Sequence, residues 1–169
     1  HAIESVIGSL CPTKRKKTLV ISNGADAEQT RALMQRLGKS AIPLTYRETS
    51  RAKAADVAKT LDGDRNISHV WIVHCETSTG LLNPVADIAR VVKSHGRVCI
   101  VDASTTLGGV PIHVVDDAID VLIATPDAAL EGLPGVVMVV ARRELLEAAK
   151  DQSHSPALDL HAQWKAMDF

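Results

Sequence analysis

Three polar blocks each follow directly on a short apolar run, and they hold the residues of this chain best suited to chemistry. The first is His74-Cys75-Glu76-Thr77-Ser78-Thr79-Gly80, after Val70 to Val73. The second runs from Asp102 through Ala103-Ser104-Thr105-Thr106-Leu107 to Gly108-Gly109-Val110-Pro111, after Val98 to Val101. The third is Thr125-Pro126-Asp127-Ala128, after Val121 to Ile123, and it leads into Gly132-Leu133-Pro134-Gly135. A carboxylate such as Asp102 at the mouth of a buried strand can face a ligand, or it can cap the turn that follows. Thr77 can offer its hydroxyl outward, or a Ser/Thr-rich loop can satisfy its own backbone with it. His74 sits in a motif and reads as a pocket-lining residue without an acid or base role. Cys75 has no accompanying base pattern and reads as a small buried hydrophobe.

The elements that must position these blocks are legible as alternating patterns. Leu19 to Ile21, Ala41 to Leu44, Val70 to Val73, Val98 to Val101, Val121 to Ile123 and Val136 to Val140 are short, β-branched and mostly apolar on both faces. That is the mark of strands buried in a parallel sheet. Between the first four lie helical periods over Ala27 to Leu37, Ala52 to Leu61 and Pro84 to His95, the last with Asn83 as its cap and Pro84 at the first position. A further helix is read from Ala2 to Leu10. Gly38 and Gly96 are placed to end two of the helices. The expected fold class is α/β, a mainly parallel sheet with helices on both faces, forming one domain over residues 1–169. In such sheets ligands lie beyond the carboxyl ends of the strands, so the three polar blocks should share one rim.

Composition narrows the partners. Nineteen basic against twenty acidic residues leave a net charge of −1, which gives no electrostatic reason to expect a nucleic acid or a membrane surface. The run Lys14-Arg15-Lys16-Lys17 precedes the apolar stretch Thr18 to Ser22 and reads as a solvated loop entering a strand. Cys11, Cys75 and Cys99 are widely spaced, with no CxxC pair and no histidine at metal spacing, which argues for reduced thiols in a cytoplasmic protein and against a metal site. His69, His95, His113, His154 and His161 stand at no ligand spacing and read as surface or satisfied core residues. No G-x-G-x-x-G follows the first strand, so a nucleotide-binding domain lacks support.

Taken together, the three blocks resemble the class V aminotransferases that use pyridoxal 5′-phosphate, and most closely a branch that moves the amino group of 2-aminoethylphosphonate onto pyruvate. The resemblance implies the large domain of a fold-type I enzyme, with the Val136 to Val140 strand antiparallel. It implies that Asp102 pairs with the protonated pyridine nitrogen, that Thr77 hydrogen-bonds the cofactor's 3-hydroxyl oxygen, and that Asp127 precedes the lysine that carries the cofactor as a Schiff base. It further implies a homodimer, joined through the rim near Asp102 and Ala128 and through the Ala2 to Leu10 helix, acting on a small amine and a keto acid. Leu158-Asp159-Leu160-His161-Ala162-Gln163-Trp164-Lys165 is similar to another stretch of the family.

The chain also departs from the pattern. Ala128 falls on the lysine position, and an alanine there has neither nucleophile nor proton shuttle, so covalent attachment is not possible. In Asn23-Gly24-Ala25-Asp26-Ala27 the family has an aromatic residue stacked on the ring where this chain has Asp26, and a glycine where it has Ala27. The phosphate-cradling loop before Ala2 and the smaller C-terminal domain are not contained in the chain. Position 128 could reflect an engineered Lys→Ala or natural decay; one engineered change would not account for Asp26 as well, so decay is preferred, and the expectation is an inactive or fragmentary relative. The alternative is a noncatalytic module that binds or dimerises.

Overall fold

The computed structural model describes residues 1–13 and 15–167; Lys14 of the basic run lies outside the described residues. In chain order the elements are α1 (Ala2–Leu10), β1 (Lys17–Ser22), α2 (Ala25–Arg36), β2 (Ala41–Thr45), α3 (Ala54–Gly63) and β3 (Ile67–Val73). There follow a two-residue pair β4 (Cys75–Glu76) and β5 (Leu81–Leu82), then α4 (Val85–Ser94), β6 (Val98–Asp102), β7 (Val121–Ala124), β8 (Met138–Ala141), α5 (Arg143–Ala148), a 3₁₀ turn at Pro156–Leu158 and α6 (Leu160–Met167).

Six strands form one sheet in the order β2-β1-β3-β6-β7-β8. Every pairing is parallel except β7 with β8, which is antiparallel. Alternation along each buried strand supplies two cores. Leu19, Ile21, Val70, Ile72, Cys99 and Val101 face α3 and α4, with Val57, Leu61, Ile88 and Val92 packed on them. Val20, Trp71, Val73, Ile100 and Ile123 face the other way, against Val6 and Ile7 of α1, Ala27 and Met34 of α2, and Leu160 of α6. Both faces of the sheet are therefore covered, and each fully buried aliphatic side chain contributes about 1.5–3 kcal/mol. Pro43 has no N–H to donate, and it sits on β2 at the sheet edge, where one side of the ladder is open.

Gly38 and Gly96 end α2 and α4 as expected, with φ of 67° and 64°. In both cases the next amide reaches back five residues, Lys39 to the Met34 carbonyl and Arg97 to the Val92 carbonyl. Lys39 then turns its buried ammonium onto the Gly8 and Cys11 carbonyls, at 2.8 and 2.9 Å, where α1 ends. A cation on those carbonyls is what the helix C-terminus favours.

Three boundaries differ from the sequence reading. Asn83 does not cap α4: the helix follows Pro84 with no side-chain cap, because the buried Asn83 amide is used elsewhere. The third helix opens at Ala54, while Ala52 is 2 % exposed and gives its amide to Asn83. The last strand begins at Met138, since β7 offers partners only from Val121 to Ala124; Val136 and Val137 are left exposed before it.

Candidate functional site

The register of the sheet decides where the rim residues emerge. Val73 pairs with Asp102, and Asp102 with Ile123, so all three side chains leave the sheet on the face covered by α1 and α2. There a cleft of ≈ 420 Å³ opens at the carboxyl ends of β3 and β6, between Asp102, Ser104 and Val73 on the sheet side and Asp26, Thr30 and Leu33 on α2. Cys75 and Thr77 close one wall and the first turn of α1 another.

Asp102 is only 7 % exposed. Its Oδ1 accepts from the Ser104 amide and hydroxyl, fixing the carboxylate as the strand ends. Burial pushes the carboxyl above the usual range; the two Ser104 hydrogen bonds hold it partly down, and the nearby Asp26 carboxylate adds to the rise.

Behind the cleft lies Glu76, which is fully buried. Its two oxygens accept from the Asp26 and Ala27 amides at 3.0 and 3.1 Å, two of the N–H groups that the first turn of α2 leaves free. Ser78 takes the Ala25 amide through its hydroxyl. The start of α2 is thus satisfied by side chains of the β4 segment fifty residues away. Gly24 permits this, because a Cβ there would collide with the Glu76 carboxylate. Burial raises the Glu76 carboxyl, the two amides draw it down, and the Asp26 and Asp102 carboxylates push the same way as burial.

Beside it two buried amides form a reciprocal pair. Asn23 donates to Asn83 at 2.8 Å and Asn83 donates back at 3.1 Å. Asn83 also gives a hydrogen bond to the Val73 carbonyl and accepts one from Ala52. This pair ties the end of β1 to the end of β3 and to the entry of α3.

Of the four sequence-predicted site residues, the structure brings Thr77 and Asp102 into one cleft. Asp127 and Ala128 are exposed, in the bent segment between β7 and β8, and do not line it. Thr77 does not present a free hydroxyl: its amide and its Oγ1 both donate to Asp26 Oδ2 at 2.7 Å. His74 was expected to line the pocket, and it lies on the opposite side, with Nδ1 2.9 Å from the Thr106 hydroxyl. The reason is alternation, since one residue beyond Val73 the chain faces the other core. Cys75 is half-buried and lines the cleft, more open than a core hydrophobe. Sequence reasoning missed Glu76 as the internal partner of α2; the signal was a glutamate inside a hydroxyl-rich loop, facing Asn23-Gly24 at the next strand end.

Residues 1–157 match the family model for class-V aminotransferases. The chain is 39 % identical over 167 residues to the 2-aminoethylphosphonate–pyruvate transaminase of Rhizobium meliloti (strain 1021), covering 99 % of this chain and 43 % of that protein. It is 42 % identical over 167 residues to the enzyme of the same name from Syntrophobacter fumaroxidans (strain DSM 10017 / MPOB), covering 99 % and 45 %. The chain thus spans less than half the length of these curated relatives. Among solved structures, ureidoglycine-glyoxylate aminotransferase from Bacillus subtilis superposes with a TM-score of 0.91 at 22 % identity, over 99 % of this chain and 44 % of that one. Aspartate aminotransferase from Thermus thermophilus gives 0.84 at 25 % identity, over 98 % and 46 %. The chain belongs to the class-V aminotransferase family, and its fold is that of the fold-type I transferases.

Pyridoxal 5′-phosphate is the cofactor of this family. The cleft suits it at one end only. A buried carboxylate at the strand end, Asp102, is the right partner for a protonated ring nitrogen. Elsewhere the residues do not suit it: the Thr77 donors are spent on Asp26, and apart from His1 the lining has no basic side chain to face a phosphate. Ala128 adds no amine.

Proposed function

We propose that the activity from which this site descends is transfer of the amino group of 2-aminoethylphosphonate to pyruvate, giving phosphonoacetaldehyde and alanine. The observation that carries the reading is the identity to transaminases of that name along 99 % of the chain. The substrates are accordingly a small amine and a keto acid, and residues 1–169 correspond to one α/β domain, the large domain of such an enzyme. Asp102, Thr77 and Asp127 occupy positions that serve the cofactor in the family. Three unpaired cysteines, two of them buried, fit a cytoplasmic setting; no helix among the described residues is long and apolar enough to cross a membrane.

The chain by itself does not catalyse the transfer. A methyl group at position 128 can neither hold the cofactor covalently nor move a proton. Purified chain incubated with cofactor, 2-aminoethylphosphonate and pyruvate should form no alanine, and Ala128→Lys alone should not change this. Turnover by the unmodified chain that disappears in Asp102→Asn would overturn the reading.

A second reading, a module that self-associates as a homodimer, is favoured by one observation. Leu130, Leu133, Val136, Val137 and Val140 all lie 43–80 % exposed along the segment around β8. Apolar surface of that kind is normally covered in an assembly. The α1 helix contributes less to such a surface than expected, because Val6 and Ile7 are fully buried within the chain.

A further inference from the structure

We propose that Asp26 is a specificity-determining residue of the cleft, which acts against the binding of a flat anionic ring such as pyridoxal 5′-phosphate. The inference rests on the family reading above for the choice of ligand, and on the geometry of α2 for the rest.

The position of Asp26 is fixed from below. Its amide is held by the fully buried Glu76, the neighbouring Ala27 amide is held by the other Glu76 oxygen, and Gly24 leaves room for both. The backbone of this turn therefore cannot shift to carry the carboxylate away from the cleft without breaking the Glu76 pair.

The side chain then takes the hydrogen-bonding capacity of its neighbour. Thr77 has one hydroxyl hydrogen, and it is directed to Asp26 Oδ2 at 2.7 Å, with the Thr77 amide on the same oxygen. Bonds to an ionised acceptor are the stronger kind. A ligand oxygen approaching Thr77 meets only lone pairs, and a phenolate oxygen needs a donor.

Charge works in the same direction. Asp26 and Asp102 line one cleft, Glu4 joins them at its edge, and among the described residues no lysine or arginine lines it. The start of α2, which would otherwise favour an anion, is already occupied by Glu76 and Ser78. Against the carboxylates of Asp26, Asp102 and Glu4 stands one imidazole, His1, 3.9 Å from Glu4, so a ligand carrying a phosphate enters a field that is on balance of its own sign. A purely structural role for Asp26, as an acidic residue at a helix start that ties down a loop, would predict none of these effects on a ligand.

The test is equilibrium dialysis of the full chain against pyridoxal 5′-phosphate, which reads binding and is independent of turnover. Asp26→Ala should raise the association constant at least tenfold. Asp26→Asn, which keeps an acceptor for Thr77 but removes the charge, should give a smaller rise, and Thr77→Val in the Asp26→Ala background should reverse most of the gain. Circular dichroism shows whether each variant is folded, and if Asp26→Ala is not, Asp26→Ser is read by the same criterion. Unchanged or weaker binding by a folded Asp26→Ala or Asp26→Ser overturns the proposal. Failure here would leave the transaminase descent standing, because that reading is judged by the alanine assay.

Discussion

Around Asn23, Glu76, Thr77 and Asp102 the rim is knitted from side chains far apart in sequence, whereas the segment from Pro126 to Val137, on the same edge of the sheet, turns on a single backbone bond from the Gly132 amide to the Pro126 carbonyl. The first region is buried at Asn23, Glu76, Asn83 and Asp102; the second exposes Asp127, Ala128, Leu133 and Val136. Both regions follow the carboxyl ends of strands of the one sheet. The contrast teaches that side chains which satisfy buried backbone groups are tied to the fold, whereas those in an exposed bend are not. Ala128 stands exposed in its bend, where a side chain can be exchanged with little effect on folding. The Asn23, Glu76 and Asn83 network cannot be relaxed in the same way, because each removal strands a buried polar group.

The largest effect expected from this contrast is that of Asn83→Ala. The variant would leave the Val73 carbonyl, the Ala52 amide and half of the Asn23 amide without partners, all in buried surroundings. A loss of roughly 3 kcal/mol is expected, at the cost of about 1–3 kcal/mol for each unsatisfied buried group less what water recovers. Urea unfolding measures it. A loss under about 1 kcal/mol would mean that the network is not what braces this side of the rim.

That network also marks the limit of what could be read from the chain. The strand and helix alternation was legible because buried β-branched runs and helical periods are local patterns, and Gly38 and Gly96 were legible because a left-handed helix end favours glycine. Asp102 was legible at its strand end for the same reason. The roles of Asn83 and Asp26 were not, since each depends on a partner 60 or 51 residues away that only the sheet order brings near. Asn83 before Pro84 has the form of a helix cap, and the tertiary partner outcompeted that local use. His74 was misplaced by one step of strand alternation, a difference that a boundary uncertain by one residue conceals.

A smaller and oppositely signed effect is expected from Asp102→Asn, within the braced region. Burial holds the Asp102 carboxyl above its ordinary range in the folded chain, so the folded state binds the proton more tightly than the unfolded one. The stability this contributes is present below the ordinary carboxylate value of about 4 and is lost as pH rises through the raised one. Asparagine keeps an acceptor for Ser104 and has no charge to bury. The variant should therefore melt higher than the unmodified chain at pH 7, and the difference should close as pH falls toward about 4. Equal melting temperatures at pH 7 would mean that water reaches Asp102 well enough to cancel its burial.

The smallest effect on folding belongs to the exposed region. Leu133 is 80 % exposed, so Leu133→Asp should change the unfolding free energy by no more than about 0.5 kcal/mol, the range ordinary for surface positions. If the Leu130 to Val140 surface joins two copies of the chain, the same substitution should shift sedimentation equilibrium at micromolar concentration from dimer toward monomer, because a carboxylate would be buried against apolar partners. Stability and association would then be governed by different halves of one rim. A clean monomer for the unmodified chain across the micromolar range would remove self-association and leave the exposed valines as surface that this chain does not itself cover. A loss of several kcal/mol in Leu133→Asp would instead show that the segment packs onto the fold, which would erase the contrast between the two halves.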